Sequence, residues 1–232
     1  MVEIIQGDCI TVLQRLPKES VDVIYTCPSP FGYYEKEEES LIGGEKELTR
    51  YVEDLVVLVK NCEPVLKSTG SLFIQLGDQF TPQGYLAGIP IFFEMLMRGT
   101  NMLLNDRLIW HRIRKLKNYK DKGFFKNYEF IFHYVKSDNF YFNERSKYAM
   151  TSIHSYPLED SYNTNEFDSG LPEQLFRMVI NTCCPENGVT MDPLCGSAKL
   201  GVVAKKMNRD FIGIDINQTM VELSRIRLGL DQ

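Results

Sequence analysis

Paired cysteines, histidine and long apolar runs are what this chain has least of. Six cysteines sit at 9, 27, 62, 183, 184 and 195, none forms a CxxC pair, and there are three histidines. That set argues against a structural zinc site, and no metal site is expected. The thiols fit a reducing compartment, with Cys183-Cys184 read as packing at a helix end rather than as a disulfide. No run of about 18 apolar residues occurs, so no membrane span is expected. The N-terminus lacks a basic region followed by an apolar stretch, which argues against a secretory signal and for a cytoplasmic protein. Internal repeats and low-complexity tracts are missing as well. What is there is ordinary for a globular chain: 232 residues, 44% hydrophobic and 25% charged. That is enough for one α/β domain over residues 1–232 with a well-filled core.

The net charge of −5 argues against a generic nucleic-acid binder. Its distribution says more. Residues 107–126 hold Arg107, Arg112, Arg114, Lys115, Lys117, Lys120, Lys122 and Lys126 against the single acid Asp121. A cation cluster of that density suits phosphate contact, because neutralised phosphates release counterions. A solvated basic loop is the plainer reading. The acidic remainder of the chain limits indiscriminate sticking.

Strand and helix patterns alternate. Strands are expected at Glu3–Gln6, Val21–Thr26, Ser71–Leu76, Asp106–Arg112, Phe130–Lys136, Thr190–Asp192 and Phe211–Asp215. Helices are expected at Cys9–Leu16, Leu48–Val65, Ile89–Arg98, Pro172–Thr182, Lys199–Met207 and Gln218–Leu228, with Lys67-Ser68-Thr69-Gly70 as stop signals after the second. Such alternation implies a mostly parallel sheet with helices on both faces, and ligands at the carboxyl ends of its strands. Glu35–Lys46 and Lys115–Lys126 read as mobile segments that could order on DNA binding, and Glu144–Ser169 reads as a third, irregular stretch.

Two loops carry the chemistry. In Met191-Asp192-Pro193-Leu194-Cys195-Gly196-Ser197-Ala198-Lys199, followed by Phe211–Asp215, a strand runs into a small-residue turn, a helix, and a second strand ending in a carboxylate. A turn of Gly and Ser lets a ligand approach the backbone, and the helix behind it offers free N–H groups. The terminal carboxylate can accept hydrogen bonds from two ribose hydroxyls. An ordinary tight turn is the alternative. The second loop follows Val21–Thr26 and reads Cys27-Pro28-Ser29-Pro30-Phe31-Gly32-Tyr33-Tyr34. Prolines stiffen it, and an aromatic after them offers a flat face to a planar ligand.

Taken together, these loops resemble an amino-group DNA methyltransferase of the β group, in which the catalytic loop precedes the cofactor loop. The likeness spans nearly the whole chain. It includes Ile5–Cys9, Leu16-Pro17, Gly43-Gly44-Glu45, Tyr51–Lys60, Gly70–Asp78, Ile109-Trp110, Tyr128–Phe132 and Gly170–Glu173. Gly77-Asp78, Leu171-Pro172-Glu173 and a Ser in the proline loop are closest to the N4-cytosine branch. The resemblance implies a Rossmann-like fold using S-adenosyl-L-methionine, and double-stranded DNA as substrate. A homodimer and a companion restriction endonuclease are compatible partners. It puts Asp215 on the cofactor's ribose, and Asp192, Leu194, Cys195, Gly196 and Ser197 around its methionine half. Asp8 and Cys9 fall at the adenine edge, although Asp8 also reads as a helix N-cap. Ser169 and Leu171 lie where the methionine end is closed over. Ala198 replaces a customary Gly, which requires a negative φ there.

The exocyclic amino group of a base is a poor nucleophile, because its lone pair is delocalised into the ring. Acceptors for its two hydrogens localise that pair, and orientation supplies much of the acceleration. The base must leave the duplex. Phe31 is the candidate for stacking on it, with Tyr33, Tyr34 and Trp110 as secondary candidates that read equally well as packing. The family order is Ser-Pro-Pro-aromatic, whereas here it is Pro28-Ser29-Pro30-Phe31. Ser29 is the expected polar residue, offering hydroxyl and carbonyl, or else Pro28 contributes a carbonyl. Cys27 has no nucleophilic role, since the Pro-Cys order of C5-cytosine enzymes is missing. Arg112, Arg114, Lys115, Lys117, Lys120 and Lys122 are the candidate DNA contacts, and residues 144–169 a short target-recognition segment. Adenine-N6 methylation, or a catalytically weak DNA-binding subunit that keeps the fold, stay open as alternatives.

Overall fold

The computed structural model describes residues 1–34, 41–113, 126–158 and 170–230. Eight strands form one sheet: β1 Val2–Gln6, β2 Val21–Thr26, β3 Leu66–Leu76, β4 Leu103–Ile113, β5 Tyr128–Val135, β6 Ile153–Pro157, β7 Val189–Asp192 and β8 Asp210–Asp215. Their order is β1-β8-β7-β2-β3-β5-β4-β6. Neighbours pair in parallel, except that β5 runs antiparallel to both β3 and β4.

Side-chain alternation along the strands splits the core in two. Ile24, Leu72, Ile74, Phe132 and Met191 face one side, where α1 (Cys9–Leu13), α2 (Leu48–Cys62) and α3 (Ile89–Met97) pack. Val23, Tyr25, Phe73, Ile131 and Phe211 face the other, covered by α4 (Glu173–Cys183), α5 (Lys199–Lys206) and α6 (Gln218–Leu228). In α2 the buried residues Tyr51, Val52, Leu55, Val56, Leu58, Val59 and Cys62 recur at helical spacing, so one stripe meets the sheet. Cys183 and Cys184 are buried free thiols at the end of α4.

The structure corrects three sequence expectations. Lys67–Gly70 does not end a helix; it lies within β3, where the register jumps from Val21↔Leu66 to Val23↔Ser71. The extra residues bulge, and Gly70 is needed because a Cβ there would lie 2.9 Å from the Asp22 carbonyl. The stretch 144–169 is not wholly irregular: it contributes β6, an edge strand paired in parallel with β4, while 159–169 fall outside the described residues. Ala198 does not keep a negative φ; it is left-handed at φ 52, ψ 40. The sharp entry into α5 imposes this, with the Ala198 N–H closing a 2.8 Å bond to the Cys195 carbonyl.

The packing of α5 on β8 leaves no room at Gly201. A Cβ there would come within 3.0 Å of three ring atoms of the fully buried Phe211. Gly201→Ala should therefore destabilise the protein by about 1–3 kcal/mol through overpacking. The urea midpoint would read this as a clear drop, and an unchanged midpoint would show that α5 can shift.

Candidate active site

The parallel pairing of β2 with β7 sets Val23 against Thr190 and Ile24 against Met191. Both strands therefore leave the sheet at the same edge, and the loop after Thr26 stands beside the turn after Asp192. Next to β7 come β8, ending at Asp215, and then β1, whose Gln6 pairs with Asp215. The Gly7 N–H continues this ladder to the Asp215 carbonyl at 3.0 Å. Asp8, Cys9, Asp192, Leu194, Cys195, Gly196, Ser197 and Asp215 are thus gathered along one rim. Leu171 is tied to it as well, its carbonyl accepting from Lys199 Nζ at 2.8 Å. Ser169 lies outside the described residues.

Hydrogen bonds from behind shape this rim. Asp215 accepts the Gly196 N–H at 2.8 Å and the Asn217 N–H at 2.9 Å. Each carboxylate oxygen retains a further lone pair for a ligand hydroxyl. From α6, Ser224 Oγ donates to the Gly196 carbonyl (2.6 Å) and Arg227 to Ser197 Oγ (2.7 Å). Gly196 is left-handed (φ 49), and the space a Cβ would occupy there is open. A ligand can therefore approach that backbone closely. Asp8 caps α1, accepting from the Thr11 N–H at 2.8 Å and the Thr11 hydroxyl at 2.7 Å. Cys9 and Cys195 are buried fillers, and burial pushes the Cys9 thiol up to about 12.

Two acids on the rim are held against their preference. Burial drives the Asp192 carboxyl from an ordinary 3.8 up to about 7, against the bond from the Leu194 N–H and with help from Asp215. Burial also raises Asp215, opposed by the Asn217 and Gly196 N–H groups. A desolvated pair of carboxyls at a rim is suited to a cationic ligand carrying hydroxyls.

The second loop forms a braced corner. Pro28 is buried, Ser29 and Phe31 half-buried, and Pro30 exposed. Tyr51 of α2 donates its hydroxyl to the Ser29 carbonyl at 3.0 Å. The Ser29 hydroxyl donates to the Tyr34 oxygen at 3.3 Å, which leaves Ser29 Oγ lone pairs free to accept. The Phe31 ring tilts against Tyr51 with centroids 5.7 Å apart. Tyr33 is exposed and packs edge-on to Tyr34. Trp110 is no stacking candidate. It is 1% exposed, with its indole N–H bonded to the Tyr156 carbonyl. Burial holds the Cys27 thiol well above its ordinary range, so it stays neutral.

Beside the corner runs a polar row that sequence reasoning missed. The Tyr25 hydroxyl donates to Gln75, Gln75 donates to Glu129, and Glu129 pairs with Arg112 at 3.1 Å. Arg112 also donates to the Lys126 carbonyl and lies over the Trp110 ring. No local pattern marks this row, because its members come from four strands. Of the basic stretch, Arg107 is paired with Glu94 and Lys126 sits over Phe80. Arg114, Lys115, Lys117, Lys120 and Lys122 lie outside the described residues. Among those described, no group of three or more His, Cys, Asp or Glu is arranged to hold a metal, and no helix is long and apolar enough to cross a membrane.

Comparison with known proteins agrees with this geometry. The chain is 24% identical to the type II methyltransferase M.XycI of Xanthomonas campestris pv. cyanopsidis, covering 96% of this chain and 86% of that one. It is equally similar to M.Cfr9I of Citrobacter freundii, with the same coverage. Among solved structures, the cytosine-N4-specific PvuII DNA methyltransferase superposes with a TM-score of 0.83 at 18% identity, over 97% of this chain and 85% of that one. The M1.HpyAVI–SAM complex gives 0.73 at 16% identity, over 98% and 99%. These likenesses identify the methyltransferase fold, and its sheet accounts for the rim described above. The model of the N6/N4 DNA methylases matches residues 21–225, and the chain belongs to that family of DNA methyltransferases.

Proposed function

We propose that this chain transfers a methyl group from S-adenosyl-L-methionine to N4 of cytosine in duplex DNA, as the modification enzyme of a type II restriction–modification system. The observation that carries the reading is the side-by-side exit of β2 and β7 from the sheet, which sets the Pro28–Phe31 corner against the Asp192–Ala198 turn. The name of the PvuII neighbour and the Ser in the proline loop favour cytosine over adenine.

The residues present fit the cofactor. Asp215 is half-buried with lone pairs to spare for the ribose hydroxyls. The open space at Gly196 admits the methionine half, and Asp192 is a buried acid suited to its positive charge. Asp8, Cys9, Leu171, Leu194, Cys195 and Ser197 line the rest, with Ser169 assigned by the family match. When bound, the cofactor supplies an electrophilic methyl on a sulfonium. Ser29 supplies the acceptors: its hydroxyl, whose own hydrogen is turned to Tyr34, and its carbonyl, already steadied by Tyr51. With its two hydrogens so held by Ser29, the amino nitrogen would have its lone pair localised and aimed at the methyl that the cofactor would supply, and the proton it sheds would pass to solvent. A neutral Cys27 offers no competing nucleophile. Pro28 and Pro30 fix the corner, and Phe31 stacks on the flipped base. The one domain, residues 1–232, contacts DNA through the basic stretch, with 144–169 reading the target.

Incubating DNA with protein and labelled cofactor, followed by nucleoside mass spectrometry, should yield N4-methylcytosine. N6-methyladenine would move the chain to the other branch of its family, and unmodified DNA would reduce it to a binding subunit. Phe31→Ala should lower methylation by about 5- to 150-fold while leaving cofactor affinity within about twofold, since base stacking is worth roughly 1–3 kcal/mol. Equal loss of both would remove Phe31 from the base.

Asp192 makes the site sensitive to pH. Because its folded value of about 7 lies above the ordinary 3.8, the folded protein keeps this proton where the unfolded chain has released it. Stability contributed at this position is therefore greatest at low pH and declines as pH rises through that window. Affinity for a cation should change the opposite way, tightening as Asp192 ionises between about pH 6 and pH 8. Asp192→Asn should flatten both trends; calorimetric titration across that range, showing wild type and variant with the same slope, would refute the assignment.

A further inference from the structure

Glu45 is an expensive residue in its position. It is 5% exposed, and one carboxyl oxygen is buried without a hydrogen-bond partner. The other accepts the Gly43 N–H at 2.8 Å. Burial raises its carboxyl above the ordinary range, with the backbone bonds acting against that rise. A buried acid with so little compensation costs more than an apolar side chain of the same size. Stability alone therefore gives no reason for it.

Its bond to the Gly43 N–H leads directly to the corner. Gly43 is left-handed at φ 102 and lies so close to the proline loop that a Cβ would stand 2.9 Å from Ser29 Cβ and 3.0 Å from the Pro30 carbonyl. The Gly43 carbonyl receives the N–H groups of Tyr33 at 2.8 Å and Tyr34 at 3.3 Å. Residue 43 is thus a wedge: one side bears on Ser29 and Pro30, the carbonyl holds the two residues that close the loop, and the N–H is held by Glu45. Tyr51, which fixes the Ser29 carbonyl, comes from the helix that follows.

We propose that Glu45 is a positioning residue for methyl transfer: by holding the Gly43 N–H it seats Gly43 against Ser29 and so sets where the two Ser29 acceptor oxygens stand. The inference rests on the methyl-transfer reading above and adds to it a residue that touches neither base nor cofactor. Alignment of reacting groups is steep enough that an ångström of misplacement costs on the order of a hundredfold in rate.

The test pairs two variants. Glu45→Gln keeps a carbonyl oxygen for the Gly43 N–H, and Glu45→Leu keeps the bulk and removes the acceptor. Methyl transfer by the Gln variant should stay within about threefold of wild type, while kcat of the Leu variant falls at least about tenfold with cofactor affinity within about twofold. Amide hydrogen exchange supplies a readout that needs no turnover. In Leu, but not in Gln, peptides covering 28–34 and 41–46 should exchange faster, with 193–198 unchanged. Wild-type behaviour of the Leu variant in both assays would overturn the proposal. So would equal defects in the two variants, or exchange raised throughout the chain. If wild-type protein methylates no base, the functional reading fails, and the exchange pattern alone decides whether Glu45 seats the corner.

Discussion

The site depends on a short piece of backbone pairing. Where β2 meets β7, two strands from opposite ends of the chain run parallel and stop together. The proline corner, the acidic rim and the small-residue turn hang from the ends of β2, β7, β8 and β1. The N-terminal half supplies the proline corner and its braces, and the C-terminal half supplies the acidic rim and the glycine turn. Neither half has a site without the other. The ladder between them is also central, with both its faces buried by helices, so the distance between the corners is set by the most deeply packed part of the molecule.

The rim is shaped by charge as much as by packing. Asp192, Asp215 and Glu45 are all held where water cannot fully solvate them, and the carboxyl of each is raised for that reason. A fold selected for stability alone would fill such positions with apolar side chains. Asp192 and Asp215 hold N–H groups of the small-residue turn. Glu45 faces the glycine behind Ser29. What each reaches differs: Asp215 keeps a further lone pair on each oxygen, Asp192 lies under the turn, and Glu45 holds the Gly43 N–H.

Much of this was legible beforehand, because the signals were local. The β-branched run Val21–Thr26, the prolines behind it and the small residues at Cys195–Ser197 each declare their conformation within a few positions. The order of strands and helices followed from alternating periodicity. What escaped was set by distant partners. Lys67–Gly70 has the composition of a helix stop, and it becomes a strand bulge only because β2 offers a ladder on one side and no room on the other. Ile153–Pro157 is a strand because the edge of β4 was free. Ala198 takes a left-handed backbone because the turn before α5 demands it, whatever the residue prefers. Trp110 looked available as an aromatic near a basic stretch, and the alternation of β4 buries it instead. Among the candidate DNA contacts, Arg112 was read by its charge, and its partner Glu129 is visible only in the folded sheet.

The row from Tyr25 through Gln75 and Glu129 to Arg112 has a consequence for how this sequence can drift. Each member is the hydrogen-bond partner of the next. Changing one alone strands a polar group, and at the Glu129 end a charge, in a place where water does not reach freely. Relatives that diverge here should therefore exchange the four positions as a set, keeping the whole chain of bonds or replacing it outright by hydrocarbon, and single intermediates between those two solutions should be scarce.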